Sequence, residues 1–196
     1  MIALIDIEAL RNNSLAWLQR GEAEHYELSR EERRKEMTWY NEQVQKYDAD
    51  MKWALYCYPN KTEYLERAIK FLELNEDDVL LDIGAGDGRL SLMAIQQFNI
   101  KQAIAIEWCD KWVQATNEYV SEHGGFPENM TYKQGTYQDF EFPESVTKCV
   151  FLAHHNGEIT KLNILKKLSR TNCTLFVHNF MKQGELIGEV LKHGKR

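Results

Sequence analysis

Short apolar runs alternate with amphipathic segments from residue 60 onward. The runs that could form buried strands are residues 79–83, 103–106, 130–132, 149–153 and 174–177. Helical periodicity fills the intervening segments 90–98, 111–120 and 159–168. Buried strands separated by helices indicate βαβ units, which build a mostly parallel sheet covered on both faces. The sequence therefore predicts a doubly wound α/β fold, in which ligands bind at the carboxyl ends of the strands.

The first 58 residues contain helical patterns and no strand pattern. One apolar stripe has spacings that alternate between three and four residues: Met37, Tyr40, Val44, Tyr47, Met51, Ala54 and Tyr58. Such a stripe must be buried, either against its own domain or as a homodimer seam or lid. Pro59 ends the pattern, because proline cannot donate a backbone hydrogen bond. We therefore expect a helical amino-terminal arm, residues 1–58, followed by a domain of residues 59–196.

Size and charge exclude several classes of protein. The chain has 196 residues with 24 basic and 30 acidic side chains, which gives a net charge of −6. This balance argues against broad nucleic-acid binding, which depends on clustered lysine and arginine. The apolar runs are far shorter than the roughly 20 residues of a membrane-spanning helix. The four cysteines form no Cys-x-x-Cys pair, so we expect reduced thiols in a cytoplasmic protein without a membrane partner.

A glycine loop directly follows the first apolar run. Residues 82–89 read Asp-Ile-Gly-Ala-Gly-Asp-Gly-Arg, and the three glycines allow a tight turn and close approach by a ligand. The carboxylates of Asp82 and Asp87 would repel a diphosphate but suit a ligand with an ammonium and a sulfonium group, as in S-adenosylmethionine. The second run ends at Glu107, where a carboxylate can accept hydrogen bonds from both hydroxyls of a ribose.

This combination of strand, glycine loop, helix, strand and terminal glutamate resembles the class I, seven-strand S-adenosylmethionine-dependent methyltransferases over about residues 58–182. The resemblance implies a Rossmann-like sheet of order 3-2-1-4-5 and S-adenosyl-L-methionine as cofactor. It places Glu107 on the ribose and Trp108 along the adenine. The family's Gly-Asp after the third strand is replaced by Gly135-Thr136, so Thr136, Tyr137 and Asp139 are alternatives for the adenine contact. The residues implied beneath the methionine moiety come from one loop: Asp82, Gly84, Ala85, Gly86 and Gly88.

Within this class, residues 58–62 (Tyr-Pro-Asn-Lys-Thr) and the glycine loop resemble the archaeal and mitochondrial protein lysine methyltransferases. They are more distantly similar to the histone lysine methyltransferases that lack a SET domain. In those families the proline and threonine belong to a loop over the cofactor, which implies cofactor-binding roles for Pro59 and Thr62. The spacing of Asn60 and Glu63 also predicts a capping box at the start of the next helix.

Polar residues follow the fourth and fifth apolar runs, and neighbouring strands should bring them together. We predict five catalytic residues here: His154, His155, Asn156, His178 and Asn179. A lysine ammonium must lose a proton before it attacks a methyl group, and a histidine with a pKa near ~6.5 can accept it. His154 is the first candidate and His178 the second, although either ring could instead cap a helix. A metal site is the weaker alternative, so none is predicted.

These features predict a methyltransferase that acts on lysine side chains of a protein substrate. Two alternatives stay open: a small-molecule N- or O-methyltransferase, and a binding module that keeps the cofactor fold without catalysis. Few residues remain after the fifth run for the hairpin that normally closes such sheets. We therefore expect a sheet trimmed to five or six strands, in which residues 185–191 form a strand or a short helix.

Overall fold

The computed structural model describes residues 4–27, 60–152, 158–169, 171–178 and 188–192. The helices in these segments are α1 (Ile7–Glu27), α2 (Thr62–Leu72), α3 (Arg89–Phe98), α4 (Asp110–Glu122) and α5 (Glu158–Leu168). The strands are β1 (Val79–Ile83), β2 (Gln102–Glu107), β3 (Met130–Gln134), β4 (Lys148–Phe151), β5 (Thr174–His178) and β6 (Gly188–Lys192). The predicted stripe from Met37 to Tyr58 and the predicted boundary at residue 58 lie outside the described residues.

The strands form one sheet of order β3-β2-β1-β4-β5-β6. Strands β1 to β5 run parallel, and β6 pairs antiparallel with β5. The predicted doubly wound, Rossmann-like order 3-2-1-4-5 is therefore confirmed. Residues 188–192 form a strand rather than a helix, so the described part of the sheet has six strands.

The central strand β1 is buried on both faces of the sheet, and its alternating side chains enter two different core clusters. Leu80 belongs to one core cluster, with residues from α1 to α4, and Leu81 belongs to the other, with α5. All five residues of β1 are buried. The central strand is thus covered on both sides, and its carboxyl end lies beside those of β2 and β4.

Helix α1 packs on the outside of this sheet region, against α3 and α4. Its start is capped by Asp6, whose Oδ1 accepts hydrogen bonds from the backbone nitrogens of Glu8 and Ala9 at 2.9 and 3.0 Å. Leu10 is fully buried within the core cluster that Leu80 also joins. The first helix of the predicted arm therefore contributes to the core of the sheet region.

The start of α2 differs from the sequence prediction. Lys61, not Asn60, is the N-cap residue, and no side chain caps the helix there. The predicted capping box is wrong because the helix begins one residue later than the box requires, which puts Glu63 in the wrong position to reach back.

The three described cysteines, Cys109, Cys149 and Cys173, are buried free thiols. In the segments described, no helix combines the length and apolar character needed to cross a membrane.

Candidate active site

The glycine loop connects the end of β1 to the start of α3. Three of its residues have left-handed backbone conformations. Gly84, Gly86 and Gly88 have φ angles of 72°, 56° and 72°. Side chains disfavour this conformation, so glycine is the residue that adopts it without strain. The backbone nitrogens of Gly84 and Ala85 donate to the carbonyl of Ile106 in β2 at 2.9 and 3.0 Å. The loop is therefore fastened to the second strand.

Gly86 and Gly88 serve different purposes. A Cβ on Gly88 would lie 3.3 Å from the Cε of Met130 and 3.5 Å from the ring of Tyr132, so a side chain there would crowd β3 and displace the end of Met130 by a few tenths of an ångström. A Cβ on Gly86 would meet nothing within 4 Å. At Gly84 it would meet only the ring of Phe151, at 3.9 Å. The backbone of the loop is thus exposed to open space at Gly86, where a ligand can approach it closely.

Tyr132 is a functional candidate that the sequence interpretation missed. Its hydroxyl donates a hydrogen bond to the carbonyl of Gly86, and burial raises the pKa of the phenol, which keeps it protonated. The alternation of Met130 and Tyr132 along β3 could have shown that they share a face. It could not have shown that the tyrosine reaches a loop 46 residues earlier in the chain.

Glu107 joins the loop to the end of β2. Its Oε2 accepts from the backbone nitrogen of Gly86 at 2.8 Å, and its Oε1 accepts from that of Cys109 at 3.0 Å. Burial raises the pKa of this carboxyl, partly offset by these backbone hydrogen bonds. Each carboxylate oxygen can accept a second hydrogen bond. Glu107 therefore retains the capacity to bind a pair of hydroxyls.

Asp82 is the other buried carboxylate beside the loop, at 2% exposure. Its Oδ2 accepts from the hydroxyl of Ser91 in α3 at 2.9 Å. Burial raises the pKa of Asp82 to about 7, and the carboxylates of Glu107 and Asp87 also raise it. Negative charge is therefore poorly compensated here, which favours a cationic ligand.

Asp87 differs from the sequence expectation, which assigned its charge to a cationic ligand. Its Oδ2 accepts from the Nε of Arg89 at 2.8 Å in a buried ion pair. The charge of Asp87 is thus neutralised by the chain itself. Asp82 and Glu107 remain as the carboxylates that would attract a cation.

Thr62 lies at the start of α2, and its hydroxyl contacts two other segments. It donates to the carboxylate of Glu8 in α1 and accepts from the Nη1 of Arg89 at 3.3 Å. The structure thus brings Thr62 beside the residues that hold the loop. Its direct contact with a cofactor stays a prediction, and Pro59 lies outside the described residues.

Trp108 packs into an aromatic cluster at the end of β2. The cluster contains Leu18, Cys109 and Trp112, with Trp17 and Trp108 packed against it, and the rings of Trp17 and Trp112 are 4.8 Å apart. Helix α1 therefore reaches the loop after β2 as well as the start of α2. The predicted position of Trp108 along an adenine is not tested by these contacts.

The three adenine candidates lie together after β3 but face different surroundings. Thr136 is buried, and its hydroxyl donates to the carboxylate of the exposed Asp139 at 3.1 Å. Tyr137 packs against the second core cluster, with its ring 6.4 Å from that of Phe151. Their roles stay predictions.

Most of the predicted catalytic set lies outside the described residues: His154, His155, Asn156 and Asn179. His178 is described in its backbone only, as the last residue of β5, opposite Gly188 of β6. Strand β5 neighbours β4, which neighbours β1. The end of β5 therefore lies at the same edge of the sheet as the glycine loop.

The described residues fit S-adenosylmethionine in three respects. Open space over Gly86 allows a ligand to contact the loop, and Glu107 can accept hydrogen bonds from vicinal hydroxyls. The raised pKa of Asp82 indicates a position where a positive charge would be stabilised. S-adenosylmethionine combines a cation with a ribose, so Asp82, Gly86 and Glu107 are the residues that would hold it.

Comparisons with known proteins agree with this interpretation. A family model described as a methyltransferase domain matches residues 80–171, which include β1 from its second residue, the glycine loop and Glu107. The chain is 25% identical over 134 residues to a protein-lysine N-methyltransferase of Saccharolobus islandicus (strain REY15A), covering 68% of this chain and 82% of the relative.

Two solved structures share the fold. An RNA methyltransferase from Salinibacter ruber, in complex with S-adenosyl-L-homocysteine, matches with a TM-score of 0.52 and 19% identity over 61% of this chain and 76% of the other. A precorrin-6y C5,15-methyltransferase from Geobacter metallireducens matches with a TM-score of 0.52 and 17% identity over 63% and 65%. Both support the arrangement of sheet and helices.

Proposed function

We propose that this S-adenosylmethionine-dependent methyltransferase acts on lysine side chains of proteins. The observation that carries the proposal is the junction of Gly86 and Glu107, where a ligand-accessible loop meets a carboxylate that can bind a ribose. Asp82 adds a buried carboxyl beside that junction, and its raised pKa of about 7 means that a nearby cation would stabilise the charged form. This arrangement supports the binding of a cationic nucleoside such as S-adenosylmethionine.

The choice of lysine is supported by the relative from Saccharolobus islandicus, whose alignment spans most of that protein. The motif of residues 58–62 and the glycine loop resembles the same group of enzymes. The net charge of −6 also favours encounter with lysine-rich segments over nucleic acid.

The reaction needs an aligned, neutral amine more than it needs covalent help from the protein. When bound, S-adenosylmethionine supplies a methyl group on a positively charged sulfur. With the cofactor held by Asp82, Gly86 and Glu107, that methyl group would pass from the sulfur to the amine nitrogen, and a base of this chain or water would take up the proton that the original ammonium loses. Proximity and alignment account for much of the acceleration in such a step.

The predicted catalytic histidines are proposed to accept that proton. His178 ends β5 at the edge of the sheet that carries the glycine loop. His154 follows the end of β4 by three residues in the sequence, which motivates the same role. A His154→Gln variant should keep cofactor affinity and shift the pH dependence of methyl transfer, whereas a helix-capping role would leave the profile unchanged.

The proposal is tested by methyl transfer from tritiated S-adenosylmethionine into a host-cell lysate. We expect label in protein, recovered as methylated lysine after acid hydrolysis. A lysate whose lysine amines have first been blocked by exhaustive acetylation is the matched control, because an amide nitrogen is no longer a nucleophilic amine, and it should accept no label.

Other outcomes would point to other functions. Label in the low-mass fraction would identify a small-molecule acceptor instead. Label that persists in the blocked lysate would exclude lysine. Cofactor binding without transfer to any fraction would favour the noncatalytic module.

A further inference from the structure

We propose that Arg89 is a positioning residue that couples the docking of α1 to the shape of the glycine loop, and through it to cofactor affinity. The proposal rests on the methyltransferase activity but not on lysine as the acceptor. It concerns the contacts that Arg89, Thr62 and Glu8 make with one another.

Arg89 is 1% exposed and is the first residue of α3. Its guanidinium donates in three directions: Nε to Asp87 at 2.8 Å, Nη2 to the carbonyl of Asn60 at 2.6 Å, and Nη1 to the hydroxyl of Thr62 at 3.3 Å. The planar fork of an arginine can hold several acceptors in fixed relative positions, which the single ammonium of lysine cannot do. Arg89 therefore ties the glycine loop to the chain before α2.

Thr62 continues this connection to α1. Its hydroxyl accepts from Arg89 and donates to the carboxylate of Glu8, 54 residues earlier in the sequence. A second hydrogen bond fixes the same end of α1, from the Nε2 of Gln96 in α3 to the carbonyl of Ile5 at 3.0 Å. The start of α1 is thus attached to both α2 and α3.

The other end of the connection lies inside the ligand site. Asp87 follows Gly86, whose backbone nitrogen donates to Glu107 and whose carbonyl accepts from Tyr132. A displacement of Asp87 would therefore move the part of the loop that faces open space. Glu8, Thr62, Arg89 and Asp87 form one continuous chain of polar contacts from α1 to Gly86.

This chain of contacts predicts reciprocal effects. If the docking of α1 strengthens cofactor binding, then bound cofactor must stabilise the docking of α1 by the same factor. If the ion pair between Arg89 and Asp87 only stabilises the fold, breaking it should lower the thermal stability and leave the cofactor affinity of the folded protein unchanged.

Calorimetric binding of S-adenosylhomocysteine to the full chain, well below the unfolding temperature, separates these roles. Arg89→Lys keeps a positive charge near Asp87 but loses the fork, and it should weaken binding about tenfold or more. Thr62→Val keeps the ion pair and breaks the link to Glu8, and it should weaken binding about threefold to tenfold.

Matched controls remove a threonine hydroxyl or a glutamate charge at positions outside this chain of contacts. Thr131→Val on the exposed side of β3 and Glu66→Gln on the exposed side of α2 should bind like wild type. Glu8→Gln, which makes the same charge change as Glu66→Gln, should weaken binding about twofold to fivefold. If Arg89→Lys does not fold, Glu8→Gln decides the question, because Glu8 is not among the predicted cofactor contacts.

Amide hydrogen exchange of residues 7–18 supplies the reciprocal measurement. S-adenosylhomocysteine should slow exchange in this part of α1 in wild type, and should slow it less in Thr62→Val. Affinities of Thr62→Val and Glu8→Gln within a factor of about 1.5 of wild type, or equal slowing in both proteins, would overturn the proposal. Failure of the wild-type protein to bind S-adenosylhomocysteine would contradict the proposed function. Unchanged affinity in the variants would contradict only the coupling through Arg89.

Discussion

The two ends of β1 carry buried aspartates that the fold treats differently. Asp78, just before the strand, accepts from the backbone and side-chain nitrogens of Asn75 at 2.8 and 2.9 Å and from the hydroxyl of Thr147 at 2.7 Å. Asp82, within the strand, accepts from Ser91 and is raised in pKa to about 7 by burial. The amino end is thus satisfied by the chain, whereas the carboxyl end carries a charge that the chain does not compensate. This contrast separates a carboxylate that stabilises the fold from one suited to a ligand.

The largest expected effect is a loss of stability at the amino end of β1, where Asp78 has its hydrogen-bond partners. Asp78→Ala leaves three donors around Asn75 and Thr147 without their acceptor, so the free energy of unfolding should fall by about 3 kcal/mol. Urea denaturation measures this change, and the exposed neighbour in Asp77→Ala is the control. Cofactor affinity in Asp78→Ala should stay within about twofold of wild type. A loss of affinity without a loss of stability would erase the contrast between the two ends.

At the carboxyl end of β1, Asp82→Asn should raise the stability of the protein and lower its affinity for the cofactor. The folded state keeps a proton on Asp82 between pH 3.8 and about 7 that the unfolded chain has released. Stability therefore falls as pH rises through this window, and the charged carboxylate lowers it most above pH 7. At pH 8 the variant should be more stable than wild type by about 1–3 kcal/mol, while its affinity for S-adenosylmethionine falls about tenfold or more.

Thermal and urea unfolding at pH 8 and pH 5 test this sign. The gain in stability should shrink at pH 5, where wild-type Asp82 is protonated in the folded state. A variant that loses stability at pH 8 and keeps its affinity would contradict the role given to Asp82.

Two of the three glycines in the loop, Gly86 and Gly88, allow the same comparison of stability with ligand binding within a single turn. Both have positive φ, so alanine at either position should lower the free energy of unfolding by about 1–2 kcal/mol. Gly88→Ala adds the contact of its Cβ with Met130, whereas the Cβ of Gly86→Ala enters open space. We therefore expect Gly88→Ala to lose more stability and Gly86→Ala to lose more cofactor affinity. Urea unfolding measures which variant loses more stability, and calorimetry measures which loses more cofactor affinity. Equal losses of affinity would contradict a ligand that lies over Gly86.

The smallest expected effect is a pH dependence of binding. Affinity for S-adenosylmethionine should fall up to about tenfold between pH 8 and pH 6, because Asp82 takes up a proton as the pH falls through about 7. S-adenosylhomocysteine lacks the sulfonium charge and should show a weaker dependence. The same titration on Asp82→Asn is the control, and an unchanged slope there would exclude Asp82 as the titrating group.

Much of the fold follows from local patterns. The predicted strand at residues 79–83 matches β1, and the predicted helix at residues 159–168 differs from α5 by one residue at its start. Glycine at three positions indicated the turn at the end of β1, because left-handed backbone conformations exclude most side chains. Periodicity and backbone sterics act over a few residues, so a single sequence displays them.

Other parts of the site depend on how neighbouring elements are oriented after folding. Asp87 was predicted to face a cation, but its charge is paired with Arg89. Tyr132 was assigned no role, although its hydroxyl holds Gly86. Asp87 and Arg89 are two residues apart, but the orientation of the start of α3 decides whether Asp87 meets Arg89 or a ligand. The contact of Tyr132 depends on how β3 is placed against a loop 46 residues earlier in the chain.

By itself the sequence determined the order of strands and helices, the glycine loop and the carboxylate at the end of β2, since each follows from short-range geometry and burial. Only the tertiary structure decided that α1 packs on α3 and α4, that Thr62 and Arg89 join it to the loop, and that Asp82 and Glu107 keep the uncompensated charge. The physical reason is that electrostatic compensation depends on which side chains meet after folding. Residues as far apart as Glu8 and Thr62 are neighbours only in the folded structure.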